Sequence, residues 1–219
     1  GQPSPYESVG PVSVNLANGN AVVGWQSDTA ATVGGGASVG LTYNSMATST
    51  VSGAVPYPGL PAGWTPSWGA NAVTSLSIAG ASAVVRFSDG NSQTFKSTNS
   101  GGWVPPEFES DQLLARRDNA GTVVGYQYLS EGGELTDFSV SGAVLSATSV
   151  ADDRKPASLR YEWSGSTMSK ITDPVSGRFM KLDYATSPSA CPAGAPSSMG
   201  GLAFTTGLLC GLTHFDGSK

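Results

Sequence analysis

The chain has one histidine, His214, set between Thr213 and Phe215 in a stretch that alternates like a strand. Nucleophilic catalysis would need that imidazole beside a carboxylate and an activated hydroxyl or thiol. Serines abound, but none sits in a Gly-x-Ser-x-Gly elbow between a strand and a helix, and His214 has no partner that can be nominated. Carboxylates are the other source of proton chemistry. Glycoside hydrolysis would take two of them across one sugar bond, from Glu107, Glu109, Asp111, Glu131, Glu134, Asp137, Asp152 and Asp153. None lies in an apolar strand context that would raise its pKa, so each reads as a turn or surface group. Asp89 and Asp216 precede glycines and read as turn formers. Asp152-Asp153 offers calcium only two carboxylates, where a hard cation takes about six or more oxygens. No catalytic residue, metal or cofactor is expected.

Recognition is the next chemistry these residue types allow. Tyr57, Trp64, Trp68 and Trp103 fall in loops or at strand ends among Pro and Gly. Exposed, such rings stack on sugars or peptides; buried, they plug the open end of a sheet. We prefer the plug, because the ends of a small domain need large apolar side chains, and keep the binding platform as the alternative. Cys191 and Cys210 enclose a Gly- and Pro-rich segment. A disulfide there would contribute about 3 kcal/mol by constraining the unfolded chain. Two Cys and His214 make too few zinc ligands, at no recognisable spacing. Two buried thiols remain the other possibility. The even count and the composition favour the disulfide, and with it an oxidising, extracellular location.

Charge narrows the partners. A net charge of −5 and a pI near 4.7 disfavour nucleic acid, whose phosphates need clustered Lys and Arg. The basic pair Arg116-Arg117 adjoins Asp118 and reads as a solvated hairpin end. The opening GQPSPYESVG lacks the charged and apolar regions of a signal peptide, and no run approaches ~18 apolar residues, so no membrane span is expected.

The elements that must position these groups are strands. Only 12% of residues are charged, and 29 Gly with 14 Pro favour turns over long helices. From residue 29 to residue 85 there is no charge at all, yet Trp25, Tyr43, Tyr57, Trp64 and Trp68 argue for a packed β-region. Val12, Val14 and Leu16 pair with Ala21, Val23 and Trp25 through Asn18-Gly19, a hairpin signal. Strands follow at Val39 to Tyr43, Leu76 to Ile78, Val85 to Phe87 and Gln93 to Phe95, with a Pro- and Trp-rich loop from Tyr57 to Trp64. Gly101-Gly102 and Pro105-Pro106 mark a boundary, giving regions 1–104 and 105–219. The stretch 107–120 is free of Gly and Pro but has a poor helical face; two strands around Asp118-Asn119-Ala120-Gly121 are preferred. Each hairpin has one small apolar face and needs neighbours.

Residues 159–184, LRYEWSGSTMSKITDPVSGRFMKLDY, carry the strongest pattern. A tyrosine-ended strand, a Gly turn, an Ile-Thr-Asp run, a second Gly turn and another tyrosine-ended strand resemble the YD repeat of Rhs-type and teneurin-like proteins. Ser13-Val14-Asn15-Leu16-Ala17-Asn18-Gly19-Asn20 and Gly40-Leu41-Thr42-Tyr43-Asn44-Ser45 are similar to the segment that leads into such repeats. Val84-Val85-Arg86-Phe87-Ser88-Asp89-Gly90 and Leu212-Thr213-His214-Phe215-Asp216-Gly217 look like further units. Asp152-Asp153-Arg154-Lys155-Pro156-Ala157, with Cys191 and Cys210 behind, resembles secreted actinobacterial members. The repeats are degenerate, and Glu162-Trp163 departs from the plain pattern. Asp173-Pro174 resembles the Asp-Pro of self-cleaving ends of Rhs shells, but reads as the repeat's own turn.

The resemblance implies an all-β fold of antiparallel hairpins, with an N-terminal β-region leading into a YD-repeat-type sheet or hollow shell. It implies a non-catalytic scaffold or shell wall of a secreted or surface protein, serving adhesion or effector carriage. The partners would be a cell-surface polysaccharide or protein, or a C-terminal effector of the same chain. Lys219 falls just after Asp216-Gly217, so the chain is expected to have been cut from something longer. The alternative is a carbohydrate- or protein-binding module using the Trp-rich loops.

Overall fold

The computed structural model describes residues 5–32, 35–48, 57–68, 73–89, 91–99, 101–149, 159–187, 190–192, 198–199, 202–203 and 205–219. Asp152-Asp153 and the run to Ala157 lie outside the described residues, as does Gly90 of the Asp89-Gly90 turn. The fold is all-β and antiparallel, with a single 3-10 turn at Ser45–Thr48 among the described residues. The first sheet is built from β1 (Tyr6–Val9), β2 (Val12–Asn15) and β3 (Ala21–Gln26). A small hairpin of β4 (Ala30–Thr32) and β5 (Gly35–Ala37) precedes β6 (Val39–Asn44), and β7 (Trp64–Trp68) completes the order β1-β2-β3-β6-β7. The second sheet takes β8 (Val73–Ala79), β9 (Ser82–Phe87), β10 (Ser92–Ser97) and β11 (Trp103–Val104) as a meander.

The third sheet is a meander of eight strands. Its members are β12 (Gln112–Arg117), β13 (Val123–Leu129), β14 (Glu134–Phe138), β15 (Val144–Ser149), β16 (Arg160–Ser164), β17 (Thr167–Thr172) and β18 (Phe179–Tyr184). After a short hairpin, β19 (Ser198–Met199) and β20 (Leu202–Ala203), the chain returns as β21 (Leu209–His214) to pair with β18. Alternation explains these strands. Tyr161, Met168, Ile171, Met180 and Leu182 point into the core, with a bulge at Ser169 keeping Met168 and Ile171 on one face.

One turn recurs. At Thr98, Asp118, Ser130, Ser139 and His214 the residue's N–H donates to the carbonyl four positions on, each at 2.9 Å. A glycine three positions on (101, 121, 133, 142 and 217) donates back to the first residue's carbonyl. Those glycines have φ of 80 to 85°. This is the three-residue hairpin loop that places a left-handed residue fourth, a position only glycine takes without cost. Thr98, Asp118, Ser130 and Ser139 also accept the fifth residue's N–H with their side-chain oxygens. The expected link through Ala17-Asn18-Gly19-Asn20 is a loop of four residues, 16–19: Asn15 N–H donates to Asn20 O, and Gly19 N–H to Asn15 O. Asn15 Oδ1 accepts the Ala17 N–H, which closes the loop two residues early. The Asp173 turn is built the same way, with Gly177 and Val175 as donors.

Other expectations need correction. Trp64 to Trp68 is a strand, although it contains Pro66. Asn44 N–H donates to Gly63 O, so alternation puts the Pro66–Leu41 pair at a position without ladder bonds, on the sheet's edge. Trp25 is 50% exposed and lies outside the core. Asp111, read above as a turn or surface group, is only 9% exposed and is held by hydrogen bonds.

A single hydrophobic cluster runs through all three sheets, from Val39 and Trp68 through Leu76 and Phe95 to Phe138, Ile171 and Met180. Phe87 and Phe95 pack edge-on against Tyr128, at 6.1 and 6.3 Å between ring centres. Polar ties cross the same division. Asp111 accepts Gln93 Nε2 at 2.7 Å and Glu131 N at 2.6 Å, joining β10 to the β13–β14 turn. The buried Tyr161 hydroxyl donates to Trp68 O at 2.9 Å. Tyr161→Phe is expected to lower stability by about 1–3 kcal/mol, since the Trp68 carbonyl loses its bond in a dry setting.

Burial also raises the Tyr161 hydroxyl pKa well above its usual value. The unfolded tyrosine releases its proton near pH ~10, while the folded one keeps it. Stability from this group is therefore intact below about pH 10 and falls as pH rises beyond, by about 1.4 kcal/mol per unit. Urea unfolding at successive alkaline pH values should show a shallower decline for Tyr161→Phe than for the parent.

Candidate functional site

Two places could serve a partner. The first is the outer edge of β21, where no described strand pairs beyond β18 and the Leu209 N–H donates to Gly59 O. Asp173 N–H donates to Arg178 O, so by alternation Met180 turns its backbone groups toward β17 and away from its partner His214. His214 thus faces outward, where its N–H meets Ser218 O. The same alternation puts the Leu212 N–H and C=O on that edge. Asp216 fastens the turn by accepting Ser218 N at 3.0 Å and Ser218 Oγ at 2.7 Å. Those bonds hold its carboxyl below the usual pKa.

The second is a groove of about 390 Å³ between β8–β9 and the turns after β14 and β16, within the range of roughly 300–1,000 Å³ typical of ligand clefts. Tyr57 and Trp163 supply its rings, Arg86 its charge, and Ser75, Ser77 and Ser166 its hydroxyls. Ser75 stands directly across from Arg86 in the β8–β9 ladder. Trp163 lies where the β16–β17 register shifts, between Glu162 and Trp163, the position that departs from the plain repeat. The extra residue of the bulge there is Ser169 on β17, and the Trp163 Nε1 donates to Val144 O at 2.6 Å.

The aromatic residues nominated from sequence do not converge. Tyr57 lines the groove, its ring 6.0 Å from that of Trp68. Trp68 is 1% exposed and belongs to the core. Trp64 packs across the strand pair on Tyr43, with ring centres 5.4 Å apart. Trp103 is half-buried against the core from β11. Cys191 and Cys210 form a disulfide. His214 pairs with Met180 at the end of β21.

Buried and half-buried carboxylates have structural partners. Asp137 accepts Gln127 Nε2 and Ser146 Oγ and lies 3.8 Å from Arg116. Asp183 accepts Thr213 Oγ1 at 2.6 Å and pairs with Lys181 at 3.0 Å. Among the described residues, no three His, Cys, Asp or Glu side chains gather to hold a metal. No helix there is long and apolar enough to cross a membrane.

No family model and no curated protein matches this chain. The chemistry must be read from its own residues. Arg86 and Trp163 were not singled out from sequence as binding residues. Arg86 had a weak signal, as the first cation after the long uncharged stretch.

Proposed function

We propose that this chain is a non-catalytic β-scaffold, a stretch of wall of the Rhs/YD-repeat kind belonging to a secreted or surface protein. The observation that carries this reading is the terminal turn. It has the same closing bonds as the four turns at Thr98, Asp118, Ser130 and Ser139, and it lays Ser218 against the open edge of β21. In the eight-stranded sheet the turns at Asp118, Ser130 and Ser139 each lead into the next antiparallel strand, so a further strand after the His214 turn would repeat a step taken three times. The disulfide supports an oxidising compartment. Wall strands of this kind serve adhesion or carry an effector.

Hydrogen exchange of the native product from its producing cells tests the edge. The Leu212 amide is expected to be protected as strongly as those of β17, because another strand covers it. Unprotected exchange at Leu212, with β17 still protected, would make β21 a true edge and remove the wall reading.

A further inference from the structure

We infer that the groove between β8–β9 and the β16–β17 turn binds a uronic-acid unit of an acidic polysaccharide, with the sugar carboxylate on Arg86. The argument begins with Arg86 itself. It lines the groove half-buried, and its side chain has no acidic partner among the described residues. A guanidinium offers a planar fork that matches a carboxylate with two parallel bonds. One cation on a chain of net charge −5 suits a single carboxylate better than a doubly charged phosphate.

The rest of the lining fits a sugar ring. Tyr57 and Trp163 already use their polar tips, on Thr74 O at 3.4 Å and Val144 O at 2.6 Å. What they present to the groove is ring surface held in place, which suits the apolar face of a pyranose and leaves little side-chain freedom to lose on binding. Ser75, Ser77 and Ser166 make no side-chain hydrogen bond within the described residues. Each hydroxyl can both donate and accept, as sugar hydroxyls require. A peptide adding as a strand is disfavoured, because Leu76 N–H on the edge strand β8 is already taken by Gly142 O at 3.0 Å.

Calorimetric titration of the chain with digalacturonate and with neutral digalactose tests the assignment. The acidic disaccharide should bind about tenfold or more tightly than the neutral one, and more weakly as salt is raised. Arg86→Gln should cost about tenfold for digalacturonate and little for digalactose, with Arg86→Lys keeping part of the difference. Ser77→Ala, at an exposed position, should weaken digalacturonate by roughly threefold without touching the fold. Equal affinity for the two sugars, or an Arg86→Gln variant that binds digalacturonate unchanged, would overturn the carboxylate assignment. No binding of either sugar to the folded chain, or equal binding of a short oligoglutamate, would overturn the sugar assignment.

Discussion

Gly142→Ala is expected to destabilise the protein by about 3–5 kcal/mol, a large share of the roughly 5–15 kcal/mol that holds a domain folded. Gly142 has φ +85°, where an L-residue costs about 1–2 kcal/mol. A methyl there would also run into the backbone carbonyl of Leu76, which cannot move aside as a flexible side chain would. Relieving that overlap displaces the β14–β15 turn, at about 1–3 kcal/mol for overpacking. It also strains the Leu76 N–H bond to Gly142 O, which ties the second sheet to the third. Gly121 is the internal control: it closes the same type of turn at φ +83°, with nothing within 4 Å of an added Cβ. Gly121→Ala should therefore show the backbone cost alone, about 1–2 kcal/mol. Urea unfolding of the two variants measures the difference. Equal losses would mean that the contact between the sheets is not close.

Loss of the disulfide is the second large effect. Cys191 and Cys210 are 19 residues apart, and opening that loop is expected to cost about 3 kcal/mol. For a chain of this size that corresponds to a fall in Tm of about 6–12 °C. The loss should be felt first at β21, which follows the tethered loop directly. Its first residue, Leu209, donates to Gly59 O at 2.8 Å, and Gly59 leaves no room for a side chain beside the Tyr184 ring. Untying the loop should therefore also loosen the seat of the segment that carries Tyr57. Thermal melts with and without reductant, and of the Cys191→Ser/Cys210→Ser double variant, should agree with each other. A Tm unmoved by either would show that β18 pairing alone holds β21.

The strands were legible because half-buried sheets alternate. The run from Tyr161 to Leu182 shows it, with polar and core residues taking turns along three successive strands. The two-strand reading around Asp118 succeeded because Gly121 marks the left-handed corner. The shared spacing of a Thr, Ser or Asp three residues before Gly is also present at four turns, though the sequence reading names it only at Asp118 to Gly121. The strand β7 holds Pro66 because an edge strand tolerates a proline that a central strand would not.

The groove was harder to see for a different reason. Tyr57, the Ser75–Arg86 pair and Trp163 come from distant parts of the chain, and no common spacing links them. They meet only because the second sheet folds onto the turns of the third. Asp111 was misread because a lone aspartate before a strand looks solvated until Gln93 and Glu131 N are brought to it.

The intact mass and peptide map of the native product, taken from its producing cells without reductant, test the wall reading most directly. The account predicts a product well above 22.2 kDa, with peptides continuing past Lys219 into further hairpins that carry the same glycine turns. A native product near 22.2 kDa would contradict it, since the hairpins would then close among themselves.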